Sequence, residues 1–133
     1  MRYLDLYPST VEGCDEDGRM RINIDFKRSY DEDMKLWYSV PHDQWKFVSC
    51  DLMDPFVIAA LLKAMEDKAT LRVHGPVSSS LLDNLEEFQI IFGTWFPDKY
   101  HPIDIVADDE REETKRNNKV ILSFSGGVDG AFS

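Results

Sequence analysis

Hydrophobic and polar positions alternate most cleanly over Met20-Arg21-Ile22-Asn23-Ile24-Asp25-Phe26, with Met20, Ile22, Ile24 and Phe26 on one side. A period of two predicts a half-buried strand, because successive side chains point to opposite faces of a sheet. Arg2 to Tyr7 alternates well enough to predict an earlier strand, and Asp17-Gly18 between the two is a hairpin signal. Leu36-Trp37-Tyr38-Ser39-Val40 is aromatic and β-branched, which predicts a third strand closed by Pro41, with Asp31-Glu32-Asp33 as an exposed connection before it. Consecutive strands joined by short polar links predict an antiparallel meander.

The pattern then changes period. Asp54-Pro55 reads as an N-cap followed by proline at the first helical position. Phe56 to Met65 is apolar almost all round, so this helix is expected to be buried on more than one side. Leu71-Arg72-Val73-His74 predicts a short strand ended by Gly75-Pro76. Ser78, Ser79 and Ser80 offer caps for a second helix, with Ser80 and Asp83 spaced as a capping box. Leu81, Leu85, Phe88, Phe92 and Trp95 make its apolar stripe, and Pro97 stops it. Ile103-Asp104-Ile105-Val106 predicts a further strand. Asp108 to Asn118 is charged or polar without periodicity and reads as a solvated linker. Beyond it, Val120-Ile121-Leu122 predicts a buried strand that runs directly into Ser125-Gly126-Gly127-Val128-Asp129-Gly130.

A chain of 133 residues with 43% hydrophobic positions suits a globular fold with a real core. Its net charge of −10 repels nucleic-acid phosphates and anionic membranes, so neither is expected as a partner of this portion. No stretch has a signal-peptide core or reaches membrane-spanning length, which predicts a cytoplasmic protein. Cys14 and Cys50 lie far apart with no C-x-x-C spacing, and reduced thiols are the expectation. His42, His74 and His101 sit on separate segments without metal-ligand spacing, so no metal ligand and no catalytic residue is assigned. Trp37, Tyr38, Trp45 and Phe47 are candidates for stacking a purine, but filling a small core is the expected role.

The Ser/Gly turn carries the functional signal. A hydrophobic strand emptying into such a turn is suited to cradling a phosphate, because glycines let backbone N–H groups converge on an anion. It lacks the Lys-Ser/Thr of a Walker loop and the G-x-G-x-x-G spacing of a dinucleotide site. It resembles the S-G-G-x-D-S signature of the PP-loop ATP pyrophosphatase superfamily, matching five of six positions and departing at Gly130, where the family has Ser. That group includes GMP synthetase, asparagine synthetase, tRNA lysidine synthetase and 7-cyano-7-deazaguanine synthase. The resemblance implies ATP-dependent adenylation of a substrate with pyrophosphate release, assisted by Mg²⁺. It implies that Ser125 offers its hydroxyl to the phosphates, that Gly126 and Gly127 offer backbone N–H groups, and that Asp129 organises the loop or the metal. Gly130 cannot supply the terminal hydroxyl. Leu36-Trp37-Tyr38, Asp54-Pro55-Phe56, Gly75-Pro76-Val77-Ser78 and the following Leu81 to Glu87 look like the front end of bacterial PP-loop proteins of unassigned activity.

The expected architecture is therefore α+β: a small, mostly antiparallel sheet with two main helices over residues 1–107 and a charged linker at 108–118. The first strand and phosphate loop of a truncated α/β nucleotide-binding fold follow at 119–133. Two functions follow from this division. One is the N-terminal portion of a PP-loop enzyme, inactive without its C-terminal catalytic half. The other is a non-enzymatic acidic interaction module that docks a separately encoded protein partner.

Overall fold

The computed structural model describes residues 1–48 and 51–112. Element order is β1 (Tyr3–Leu6), β2 (Thr10–Glu12), β3 (Arg19–Arg28), β4 (Met34–Pro41), a 3-10 helix (His42–Phe47), α1 (Asp54–Asp67), β5 (Thr70–Ser78), α2 (Ser79–Trp95) and β6 (Ile105–Arg111). The class is α+β, as the patterning predicts. The six strands among the described residues join one mixed sheet. β3 pairs antiparallel with β4 on one side and with both β1 and β2 on the other. β1 and β2 lie end to end along the same side of β3, because Pro8 between them has no N–H to continue a ladder. β1 then pairs parallel with β5, and β5 parallel with β6.

The alternation foreseen in β3 places Ile22, Ile24 and Phe26 in the core. Register puts Leu6 opposite both Phe26 and Val73, and Leu4 opposite Leu71, so one face of the sheet is apolar across three strands. Both helices cover that face. α1 contributes Phe56, Val57, Ala60, Leu61, Ala64 and Met65. This is one broad stripe rather than burial on several sides, since Ile58 is 55% exposed. The sequence of α1 is more apolar than its single contact face requires. The turn before β3 forms at Asp17-Gly18 as expected. Gly18 sits at φ +72°, and the Asp15 carboxylate accepts from the N–H groups of Asp17 and Arg19 at 3.0 and 2.9 Å.

Several local expectations are corrected. Met53, not Asp54, is the N-cap of α1. Asp54 instead turns its carboxylate to the far end of β5, accepting from the Ser78 N–H at 2.9 Å and the Ser78 hydroxyl at 2.5 Å. The capping box does not form: the N-cap of α2 is Ser78, whose hydroxyl is committed to Asp54 rather than to its own helix. Gly75-Pro76 does not end β5, which continues to Ser78 through a register shift between Val73 and Pro76. A proline in a sheet is tolerated at such an irregularity. β6 starts at Ile105 and runs on through Asp108 to Arg111, so charged residues expected in the linker are strand.

The Met53 N–H donates to the Pro76 carbonyl at 2.8 Å, so the start of α1 is pinned directly to β5. Gly75 is required by that closeness: a Cβ there lies 2.3 Å from the Met53 sulfur. Met53 is itself only 5% exposed and has little room to move. Gly75→Ala should therefore destabilise the fold by about 1–3 kcal/mol, the range for overpacking. In a Met53→Ala background the same change should cost much less in urea denaturation. Equal costs in the two backgrounds would contradict this origin of the strain.

Candidate functional site

Ser125, Gly126, Gly127, Asp129 and Gly130 lie outside the described residues, as does the predicted strand that feeds them. In the described part, an apolar hollow of about 200 Å³ is lined by Ser9, Ile22, Tyr38, Val40, Val48, Leu52, Pro55 and Phe56. A second, of about 230 Å³ between α2 and β6, carries Asp83, Glu86, Asp104 and Glu110 around Gln89. Neither has a lysine or arginine among its described lining residues, and the second would repel a phosphate. A further hollow of about 240 Å³ carries Lys27 and Lys35 together with Asp25 and Asp33, carboxylates that offset its positive charge. No group of His, Cys, Asp and Glu suited to hold a metal occurs among the described residues.

The densest polar constellation is on the sheet face opposite the helices. Because Leu4 and Leu6 point into the core, Asp5 between them points the other way. Register sets Asp5 beside Arg72 on β5 and Lys27 on β3. Arg72 grips the Asp5 carboxylate through Nε at 2.8 Å and Nη2 at 2.7 Å, and the His74 Nε2–H donates to it at 2.7 Å. Rings close over these groups. Arg72 lies 3.9 Å from the Tyr3 ring centroid, His74 stacks on Tyr7 at 4.6 Å, and Lys27 covers Tyr7 at 5.2 Å. Asp5 is only 6% exposed although no helix covers this face. Burial alone raises its pKa, but the hydrogen bonds and charges of Arg72 and His74 outweigh that and hold it below the usual carboxylate value.

The geometry resembles a catalytic dyad only superficially. The second nitrogen of His74, Nδ1, faces Asp108 at 3.8 Å, so both sides of the ring meet carboxylates. No described serine, threonine or cysteine side chain bonds to it. The cluster is a charge clamp that fastens β1 to β5, and its partners shield the Asp5 carboxylate from water. Sequence reasoning passed over it because Asp5, Arg72 and His74 are remote in the chain. Only the β1–β5 register brings them together.

The other sequence candidates disperse. Trp37 projects from the open face beneath Arg21 at 4.3 Å, whereas Tyr38 turns to the core side and donates to the Pro55 carbonyl at 2.7 Å. Trp45 packs against the core, and Phe47 is 74% exposed, so these rings form no single stacking cage. His42 opens the 3-10 helix, and His101 donates its backbone N–H to the Met65 carbonyl. Cys14 is exposed. No described helix is long and apolar enough to cross a membrane. Comparisons with protein-family profiles, curated proteins and solved structures found no match to this chain.

Asp5→Asn keeps the shape of the clamp but removes its charge. It should cost about 1.5–3 kcal/mol at pH 7, the scale of a hydrogen bond to a charged group. Since the folded pKa of Asp5 is lowered, its stabilisation is complete above the unfolded value and is lost as pH falls through the folded one. The stability gap between wild type and Asp5→Asn, followed by urea denaturation, should hold from pH 7 to about 5 and shrink below about pH 4. A gap independent of pH down to 3 would contradict the clamp.

Proposed function

We propose that this chain is the N-terminal portion of a PP-loop ATP pyrophosphatase-like protein. One observation carries the reading: the run from Val120 to Phe124 enters Ser125-Gly126-Gly127-Val128-Asp129-Gly130 with five of the six signature positions in place. Two features of the described region support it. In the sequence that segment follows the described α+β part, and the hollows lined by Phe56 and by Gln89 offer no cationic group, while the one that holds Lys27 and Lys35 also carries Asp25 and Asp33. ATP with Mg²⁺ is then held by the loop together with a C-terminal catalytic half. Ser125 and the N–H groups of Gly126 and Gly127 face phosphate, and Asp129 orders the turn or the metal. Gly130, without a hydroxyl, removes one of the family's phosphate contacts. Residues 1–107, with the strand extension to Arg111, act as an accessory module, and the cytoplasm is the compartment that suits an ATP-dependent enzyme.

A second reading, a non-enzymatic module that docks a separately encoded partner, is favoured by one feature. The last turns of α2 expose Ile90 (63%), Ile91 (38%) and Trp95 (66%) on the outside of the fold, and the C-cap Phe96 (50%) continues the patch.

Two measurements separate these readings. Incubated with Mg·ATP, the 133-residue chain should release pyrophosphate only at the buffer background. Release several-fold above background would overturn its dependence on a catalytic half. Sequencing the gene beyond the Ser133 codon should reveal a nucleotide-fold sequence, in the same frame or a shifted one. Finding no such sequence would replace the PP-loop reading with the docking module.

A further inference from the structure

Among the described residues, β4 and β6 are the outer rows of the sheet, and they are built differently. β6 carries Asp108, Asp109, Glu110 and Arg111, the kind of charge that protects an open edge. β4 has a single charged residue, Lys35, in eight positions. It pairs with β3 without a register shift from Met34 to Pro41, and it exposes Met34 (44%), Trp37 (54%) and Tyr38 (38%). A long, regular, apolar edge is a template for another strand.

The hydrogen-bond phase of that edge follows from β3. The Asp25 carbonyl accepts from Tyr7 and the Arg19 carbonyl from Asp15, so odd-numbered residues of β3 turn toward β1 and β2. Even-numbered residues therefore serve β4, and through the register they engage Met34, Leu36, Tyr38 and Val40. The His42 N–H on the Gly18 carbonyl, at 3.0 Å, continues the same phase. Lys35, Trp37 and Ser39 are left with their backbone groups pointing outward. The Ser39 carbonyl accepts from Arg19 Nη2 at 2.9 Å and retains a second lone pair.

We propose that β4 pairs antiparallel with β4 of a second copy of this chain about a two-fold axis at Trp37, giving one continuous sheet across a dimer. In this register Trp37 meets its own copy and Lys35 meets Ser39. All three outward residues then exchange backbone bonds. Centring on Tyr38 instead sets Lys35 against Pro41, which has no N–H, and centring on Leu36 sets Ser39 against Asp33, beyond the strand. The Trp37 register also places Leu36 against Tyr38 and Met34 against Val40, apolar against apolar on the helix-covered face. Lys35 lies opposite Ser39, whose hydroxyl and carbonyl accept from Arg19 at 2.7 and 2.9 Å, so two cations approach at each end of the seam and salt is needed to screen them. The net charge of −10 on each copy opposes association at long range, so added salt tightens the dimer.

The test combines sedimentation with residue-resolved hydrogen exchange on the whole chain. Wild type should sediment as a dimer, more strongly at 0.5 M than at 0.05 M salt. The Lys35, Trp37 and Ser39 amides should gain protection as concentration rises. Trp37→Lys, which sets two cations face to face, should be monomeric with its circular dichroism retained. Val106→Lys, on the opposite edge strand, should remain dimeric. A monomeric wild type would overturn the proposal. So would a dimer whose Lys35, Trp37 and Ser39 amides exchange freely, or protection of those amides that does not change with concentration. Loss of the dimer in Val106→Lys would overturn it as well. Should Trp37→Lys fail to fold, the amide measurement on wild type decides the matter alone.

Discussion

β1 has to satisfy two unlike neighbours at once, and the rest of the fold is arranged around that demand. It is four residues long, antiparallel to β3 on one side and parallel to β5 on the other. So short a strand has few backbone bonds to offer, and its side chains make up the difference. Leu4 and Leu6 are fully buried beneath the helices, while Asp5 is locked from the opposite face by Arg72 and His74. The apolar side gains from leaving water. The polar side gains only because both oxygens of a nearly buried carboxylate accept from donors, and the same carboxylate without its partners would be strongly destabilising. Fixing β1 to β5 joins the antiparallel half, β1 to β4, to the parallel half that α2 closes.

A second set of contacts ties the helices to this frame. Asp54 at the first turn of α1 binds the backbone and hydroxyl of Ser78, where β5 gives way to α2. At the other end of α1, Asp67 accepts from the Tyr30 hydroxyl at 2.6 Å and pairs with Lys63 at 2.9 Å. Burial and the neighbouring Asp67 charge push the Tyr30 hydroxyl well above its ordinary pKa, so it stays protonated as the donor. One end of α1 is thus fixed by a carboxylate to the end of β5 and the other to the turn after β3, and the open face of the sheet is left to polar and aromatic side chains.

Much of this was legible in the residues, and the failures share a cause. The period-two run from Met20 to Phe26, the turn at Asp17-Gly18, and the stop after Trp95 depend on local chemistry, and all appear where expected. The misplaced caps and strand ends depend on partners distant in sequence. Ser78 is the N-cap of α2, but its hydroxyl donates to Asp54 and accepts no capping bond from the helix. β5 outruns Gly75-Pro76 because β6 is there to pair with Val77 and Ser78. Gln89 sits in the apolar stripe of α2 and is 5% exposed, since its Oε1 accepts the Ile103 N–H at 2.7 Å. A helix period cannot announce that bond. The phosphate-loop signature is the opposite case, wholly local, and its proposed role rests on residues 120–130 rather than on the sheet. The clamp at Asp5 carried no local signal at all.

The claim that β1 and β5 form the structural centre is tested most directly by native-state hydrogen exchange. The amides of Leu4, Asp5, Leu6, Leu71, Arg72 and Val73 should exchange together, at the free energy of global unfolding, and more slowly than those of β2 and β6. If the β1 amides instead exchange at the rate of the outer strands, independently of β5, β1 is a peripheral strand and the account fails.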